Sequence, residues 1–340
     1  MFAHSRGTLL RIQQSGIVVF STLVLAIWLV SSPVLPVSAQ EPQPPAGGAR
    51  SAIVLDAATG AILYERDAHV ARAPASLTKM VTALVAVERA PLDREVRTTH
   101  PYDVVPVVIG LEPGDALTLE QALYGLMLNS GNDAAVAIAE SVGDGSGDRF
   151  VGWMNELAGR LGLEHSHFKN PHGLDQDGHL SSAYDMAVIG RALMQQPVLS
   201  RIVGEGRFVV DGPPRWVFRS SNPLLGIYPG VDGIKTGFDD LAGRCLVATA
   251  QRGERRAIAV VLNSQNTAAD ASSLLDYAFA DADWGPRTAS VVATAEAGKR
   301  PLAVPVAILR ADLSAPGDGL PATVTRARQA AVFAGMTGRH

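Results

Sequence analysis

The chain has 340 residues, 47% of them hydrophobic and 18% charged, with a formal net charge of -4. That length and apolar content support one large core or two unequal ones and exclude global disorder. No large basic patch interrupts the acidic balance, so nucleic acid is not an expected partner.

Residues 1–39 read as an export signal. Arg6 and Arg11 supply a positive start, Ile17 to Val30 is a nearly unbroken apolar run, and Val37-Ser38-Ala39 before Gln40 fits a small-x-small cleavage site. An uncleaved anchor is the alternative, because the apolar stretch approaches spanning length. Either way the rest of the chain is expected outside the cytoplasm. Residues 40–48 are rich in Pro and Gly and read as a tether.

Ser51 to Leu55 and Ala61 to Glu65 flank Ala58-Thr59-Gly60, a hairpin signal. Apolar periodicity predicts helices over Leu77 to Glu88, Leu119 to Leu128, Asp133 to Val142 and Phe150 to Leu161, and from a capping box at Ser182-Ala-Tyr-Asp185 to about Met194. Strand signals follow at Arg207 to Val210, Trp216 to Arg219, Gly233 to Thr236, Arg244 to Ala250 and Arg256 to Asn263, with a closing helix over Ala268 to Ala280. A strand pair, then helices, then strands and a helix argues for an α+β fold: a mostly antiparallel sheet flanked by helices, not a βαβ array. Cys245 is the one cysteine, so no internal disulfide can form. Its setting, Cys245-Leu246-Val247-Ala248, marks a buried small hydrophobe. Residues 284–340 are too few for a robust independent domain and read as a short appendage to a catalytic domain over 49–283.

Three motifs carry the chemistry: Ser76-Leu77-Thr78-Lys79, Ser130-Gly131-Asn132 and Lys235-Thr236-Gly237. A three-residue spacing at a helix start puts Ser76 and Lys79 on one face, one turn apart. A serine hydroxyl is a poor nucleophile until a base takes its proton, and a lysine can do so near neutral pH only if desolvation or a nearby cation, such as Lys235, lowers its pKa. Ser130 can relay a proton and Asn132 can bind an amide. Lys235 and Thr236 offer a cation and a hydroxyl to a carboxylate, and Gly237 leaves room for substrate to approach the backbone. Singly, each motif reads as well as a cap or a turn. In this order they form the S-x-x-K, S-x-N, K-T-G signature of penicillin-interacting serine acyl-transferases.

The chain accordingly resembles the serine-type D-alanyl-D-alanine carboxypeptidases, the low-molecular-mass penicillin-binding proteins of peptidase family S11. The likeness extends through Ala73-Pro74-Ala75, Asp133-Ala134-Ala135, Asp232-Gly233-Ile234 and Phe238. It also takes in Asn170-Pro171-His172-Gly173-Leu174-Asp175 and His179 to Asp185. It implies a beta-lactamase/DD-peptidase-like fold with an all-helical subdomain. It further implies that Ser76 is acylated by the penultimate D-alanine, with Lys79 as base and Ser130 passing a proton to the leaving D-alanine. Asn132 would hold the substrate amide, Lys235 and Thr236 the terminal carboxylate, and the backbone N–H groups of Ser76 and Phe238 the oxyanion. The implied partners are peptidoglycan stem peptides ending in D-Ala-D-Ala and beta-lactam antibiotics. The implied location is the periplasm or outer face of the cytoplasmic membrane, with N-terminal membrane attachment if the signal stays. No cofactor is needed, and the His172/His179 spacing fits no zinc signature. Asp239 departs from the family pattern and would place an acid beside the carboxylate pocket unless it points away. The rival functions are a DD-endopeptidase, a beta-lactamase, for which no Glu-x-x-Leu-Asn-type segment is present, and a non-catalytic scaffold.

Overall fold

The computed structural model describes residues 45–280 and 282–284. The export signal expected over 1–39, the first part of the tether, and all but the first residue of the appendage lie outside the described residues. In chain order the elements are β1 (Ala49–Asp56), β2 (Ile62–Arg66), a 3-10 turn (Ala75–Thr78), α1 (Lys79–Arg89), β3 (Glu95–Arg97), β4 (Ala116–Thr118), α2 (Leu119–Met127), α3 (Asn132–Val142), α4 (Gly147–Leu161), α5 (Ala183–Met194), α6 (Pro197–Gly204), β5 (Arg207–Val210), β6 (Trp216–Arg219), β7 (Val231–Asp239), β8 (Gly243–Arg252), β9 (Arg255–Ser264) and α7 (Thr267–Ala280).

Five strands form one antiparallel sheet in the order β2-β1-β9-β8-β7, so β7 is an edge strand. Side chains alternate faces along a strand. Ile53, Leu55, Val247, Ile258, Val260 and Leu262 enter one core with the helical layer. Their neighbours Ala52, Val54, Leu246, Ala248, Ala259 and Val261 enter a second core under α7, with Leu274 and Leu275. The central strands are buried on both faces, which is why they read as continuous apolar runs. On the first face, α1 touches α2, α3, α4 and α5. It is buried on every side from Lys79 to Ala86, and apolar there but for Lys79 and Thr82, as a helix at the centre of a bundle must be. Lys79 opens this helix and is carried into the interior with it.

Three boundaries differ from the sequence reading. Ser76 does not sit in the helix: a 3-10 turn carries it, and regular α-helix begins at Lys79. The Lys235-Thr236-Gly237 motif does not end its strand, because β7 runs on to Asp239. The Ser182 capping box is one-sided: Ser182 Oγ accepts the Asp185 N–H at 3.1 Å, but the Asp185 carboxylate turns instead to the His165 N–H and the Ser166 hydroxyl. The short pair β3-β4 and helix α6 had no counterpart in the sequence reading.

Candidate active site

Neither end of the 3-10 turn is capped by a side chain, so Ser76 is not a capping serine. Instead its Oγ lies 2.9 Å from Lys79 Nζ. Lys79 is completely buried, and Nζ also donates to Asn132 Oδ1 and to the His172 carbonyl, both at 2.6 Å. Burial, then the charge of Lys235, hold the ammonium well below the usual lysine range, against an opposing pull from Asp133. The partners define what the neutral amine does. Asn132 Oδ1 and the His172 carbonyl can only accept, so they take its two N–H bonds. The lone pair is left to face the Ser76 hydroxyl, the geometry of a base for that proton.

Ser130 is buried and occupies the left-handed region at φ 65°, between α2 and α3. Ala75, beside Ser76, does so at φ 48°. Such conformations cost about 1–3 kcal/mol each in non-glycine residues and concentrate at functional sites. The N-cap of α3 is Gly131, with no side-chain cap, so neither Ser130 nor Asn132 serves as the helix cap. Asn132 bridges two walls of the site, since its Nδ2 donates to the Val105 carbonyl at 2.8 Å. The residue behind this arrangement was not anticipated. Buried Asp133 accepts the N–H groups of Ile109, Gly110, Leu111 and Ala134 at 2.8–3.0 Å, pinning residues 109–111 against the start of α3.

The floor comes from residues 169–179. Lys169 N–H donates to His179 Nδ1 at 3.0 Å, so His179 carries its proton on Nε2 and donates it to Thr78 Oγ1 at 2.8 Å. Thr82 Oγ1 donates to the Pro171 carbonyl at 2.6 Å. Gly173 has φ +93° and packs so closely under the 3-10 turn that a Cβ there would lie 2.0 Å from the Ala75 carbonyl oxygen. These contacts deliver the His172 carbonyl to Lys79. Burial first, then neighbouring cationic groups including Lys79, push both His172 and His179 down to about 4, so both are neutral at pH 7.

The opposite wall is β7. Lys235 is 1% exposed, its Nζ donates to the Thr236 carbonyl at 2.8 Å, and burial lowers it to about 7. The Thr236 hydroxyl lies 2.6 Å from that of Ser221, an exposed residue after β6 and a second member of the site that the motifs did not announce. Gly237 has a packing reason that the motif did not announce. A Cβ there would lie 3.3 Å from Ala75 Cβ, Leu77 N and the Pro74 oxygen, so the glycine lets β7 lie against the turn that carries Ser76. Phe238 is 62% exposed, with the Arg244 guanidinium 5.5 Å from its ring centre. Asp239 points into the β7-β8 turn, where Oδ1 accepts the Ala242 N–H at 2.6 Å, and not toward Lys235. The structure thus gathers Ser76, Lys79 and Asn132 in one hydrogen-bonded group. It lays the Lys235–Phe238 strand beside the turn that carries Ser76 and leaves Ser130 at the intervening bend.

Comparison with known proteins agrees with this architecture. The family model described as D-alanyl-D-alanine carboxypeptidase matches residues 38–266. The D-alanyl-D-alanine carboxypeptidase DacF of Bacillus subtilis is 38% identical over 249 residues, covering 70% of this chain and 64% of the relative. The D-alanyl-D-alanine carboxypeptidase DacA of Escherichia coli is 38% identical over 247 residues, covering 68% and 60%. The chain thus spans somewhat less than two thirds of the length of these relatives. Among solved structures, the D-alanyl-D-alanine carboxypeptidase of Mycobacterium tuberculosis superposes with a TM-score of 0.66 at 33% identity, covering 73% of this chain and 97% of that one. The DD-transpeptidase of Streptomyces K15 gives 0.63 at 30% identity, covering 68% and 97%.

Proposed function

The chain belongs to the D-alanyl-D-alanine carboxypeptidase family, and on that premise we propose that it is a serine DD-carboxypeptidase trimming terminal D-alanine from peptidoglycan stem peptides. The observation that carries this reading is the buried Lys79 amine, with two N–H bonds committed to acceptors and its remaining position 2.9 Å from Ser76 Oγ. Ser76 Oγ attacks the carbonyl of the penultimate D-alanine while Lys79 takes its proton. The oxyanion rests on the backbone N–H groups of Ser76 and Phe238. Ser130 passes its hydroxyl proton to the departing amine and recovers the one that Lys79 took, the peptide C–N bond breaks, and D-alanine leaves with Lys79 neutral again. Water then adds to the Ser76 ester with Lys79 again as base, freeing the shortened peptide. Asn132 Nδ2 keeps one N–H for the acyl arm's carbonyl. Lys235 and Thr236 take the terminal carboxylate, with Ser221 donating to Thr236, and the carboxylate's negative charge raises Lys235 from about 7 and holds it protonated.

Beta-lactams enter the same cycle: ring opening acylates Ser76, and the leaving amine stays tethered. The substrate places the enzyme in the cell envelope, which the N-terminal export signal supports. The signal is either cleaved after Ala39 or kept as an anchor. The likeness to a DD-transpeptidase supports a second reading, in which an amine of another stem peptide replaces water.

Incubation with diacetyl-Lys-D-Ala-D-Ala and with benzylpenicillin separates the possibilities. Released D-alanine with a slowly decaying penicilloyl adduct is the outcome expected. Rapid penicillin turnover without peptide cleavage would make the protein a beta-lactamase. An adduct without D-alanine release would favour an endopeptidase, and D-alanine release only with an added acceptor amine would favour a transpeptidase.

A further inference from the structure

The wall that carries the Val105 carbonyl presents an unusual surface. Residues 104–111 read Val-Val-Pro-Val-Val-Ile-Gly-Leu, without one charged or hydrogen-bonding side chain. Val105, Val107 and Val108 are 60%, 50% and 40% exposed. A single exposed aliphatic residue needs no explanation, but three within four positions at the rim of a polar site form a patch. Nor is the display a product of looseness. Asp133 holds the N–H groups of Ile109, Gly110 and Leu111, and the Asn132 N–H donates to the Val107 carbonyl at 2.8 Å. Ile109 turns inward instead and sits so tightly over Gly131 and Gly125 that a Cβ on either would lie 2.8 or 2.9 Å from it. A buried carboxylate and a close-packed isoleucine therefore fix a segment whose valines face solvent.

The patch is one side chain away from the chemistry. Asn132 touches the Val105 carbonyl with Nδ2 and Lys79 with Oδ1. Any group that acylates Ser76 and rests its acyl arm on Asn132 lays that arm beside these valines. We infer that Val105, Val107 and Val108 form an acyl-arm subsite that selects donors carrying an apolar group there and disfavours anionic ones. This deepens the DD-peptidase reading and rests on it. The energetic basis is the gain from covering β-branched side chains with apolar surface, against the cost of drying a charge beside them. The opposing influence is Arg244, which lies over Phe238 across β7 and would attract an anionic arm.

Two penicillins on one scaffold decide between them: benzylpenicillin, and its α-carboxybenzyl analogue, which adds one carboxylate to the arm. The readout is the second-order rate constant for acylation of Ser76 in the full-length protein, followed by intact mass. Wild type should react about tenfold faster with the benzyl compound, the scale of a small apolar contact in an enzyme site. The variant Val105→Thr/Val107→Thr/Val108→Thr keeps β-branched shape and charge, and the ratio should fall to within about twofold, the contact's contribution having been removed. Equal rates in wild type, a ratio unchanged in the variant, or preference for the anionic arm would overturn the subsite, the last putting Arg244 in control. If neither compound acylates Ser76, the DD-peptidase reading falls and the subsite with it.

Discussion

In the proposed mechanism Lys79 serves as base because of where its three hydrogen-bonding directions go, and its pKa is lowered by burial and by Lys235, against Asp133. Lys235 is a like charge that lowers the proton affinity of Lys79. Lys235→Gln should therefore raise the Lys79 pKa and move the acid limb of the acylation pH profile to higher pH, measured with a fluorescent penicillin. An acid limb that stays in place would show that burial alone sets the amine. In wild type the same lysine should supply the opposite limb. Its pKa is lowered to about 7, so its proton is lost as the pH rises through that value, and carboxylate recognition weakens above it. In the proposed recognition Ser221 acts through Thr236. Thr236 has one proton, and to give it to a carboxylate it must accept from Ser221 at 2.6 Å. Ser221→Ala should raise KM for a carboxylate peptide about fivefold, the worth of one net hydrogen bond, with kcat little changed and no effect on the same peptide as its C-terminal amide. An equal loss on the amide would mean that Ser221 only supports the loop.

The elements explain how residues so far apart meet. The 3-10 turn, the bend before α3, the 169–179 loop and β7 are each fixed by a different device: a left-handed residue, a buried carboxylate, a histidine bridge and a glycine contact. Asp133→Asn would keep one acceptor and lose the charge, costing about 2 kcal/mol on the scale of charge-assisted bonds to backbone. By loosening Asn132's second support it should also slow acylation on the order of tenfold. A lowered Tm with unchanged acylation would separate the loop from the chemistry. These devices also mark what the amino-acid order could and could not disclose. Ser76, Lys79, Ser130, Asn132 and Lys235 could be singled out because their three motifs stand in the order of a known signature, although each motif alone reads as a cap or a turn. The strands β1, β8 and β9 were legible as apolar runs. Asp133 reads as an ordinary first-turn acid of α3, because its Ile109–Leu111 partners lie 22–24 residues back. The Thr78–His179 bridge spans 101 residues, and no periodicity announces it. Gly237 looked like a gap for substrate because its contact with Pro74–Leu77 exists only in three dimensions. β3 and β4, three residues each, are too short to alternate visibly.

The sheet divides the protein into a catalytic core and a core under α7, and the two should answer differently to mutation. Leu274 is fully buried in the second core, away from every group described in the site. Leu274→Ala should cost about 2–5 kcal/mol of stability, as buried leucine truncations do, while the folded protein keeps its kcat/KM. A selective loss of kcat/KM at full folding would show that the far core shapes the site. Conversely, the bonds converging on Lys79 from Asn132, His172 and Ser76 join three segments of the catalytic core, so the reactive pair exists only when all three have assembled. The most direct measurement is therefore peptide mapping of the benzylpenicillin adduct on the full-length protein near pH 7, with Lys79→Ala beside it. A single penicilloyl group on Ser76, slowed by several orders of magnitude when Lys79 is removed, is the expected result. An adduct on Ser130 or Ser221, or acylation of Ser76 at an undiminished rate without Lys79, would contradict it.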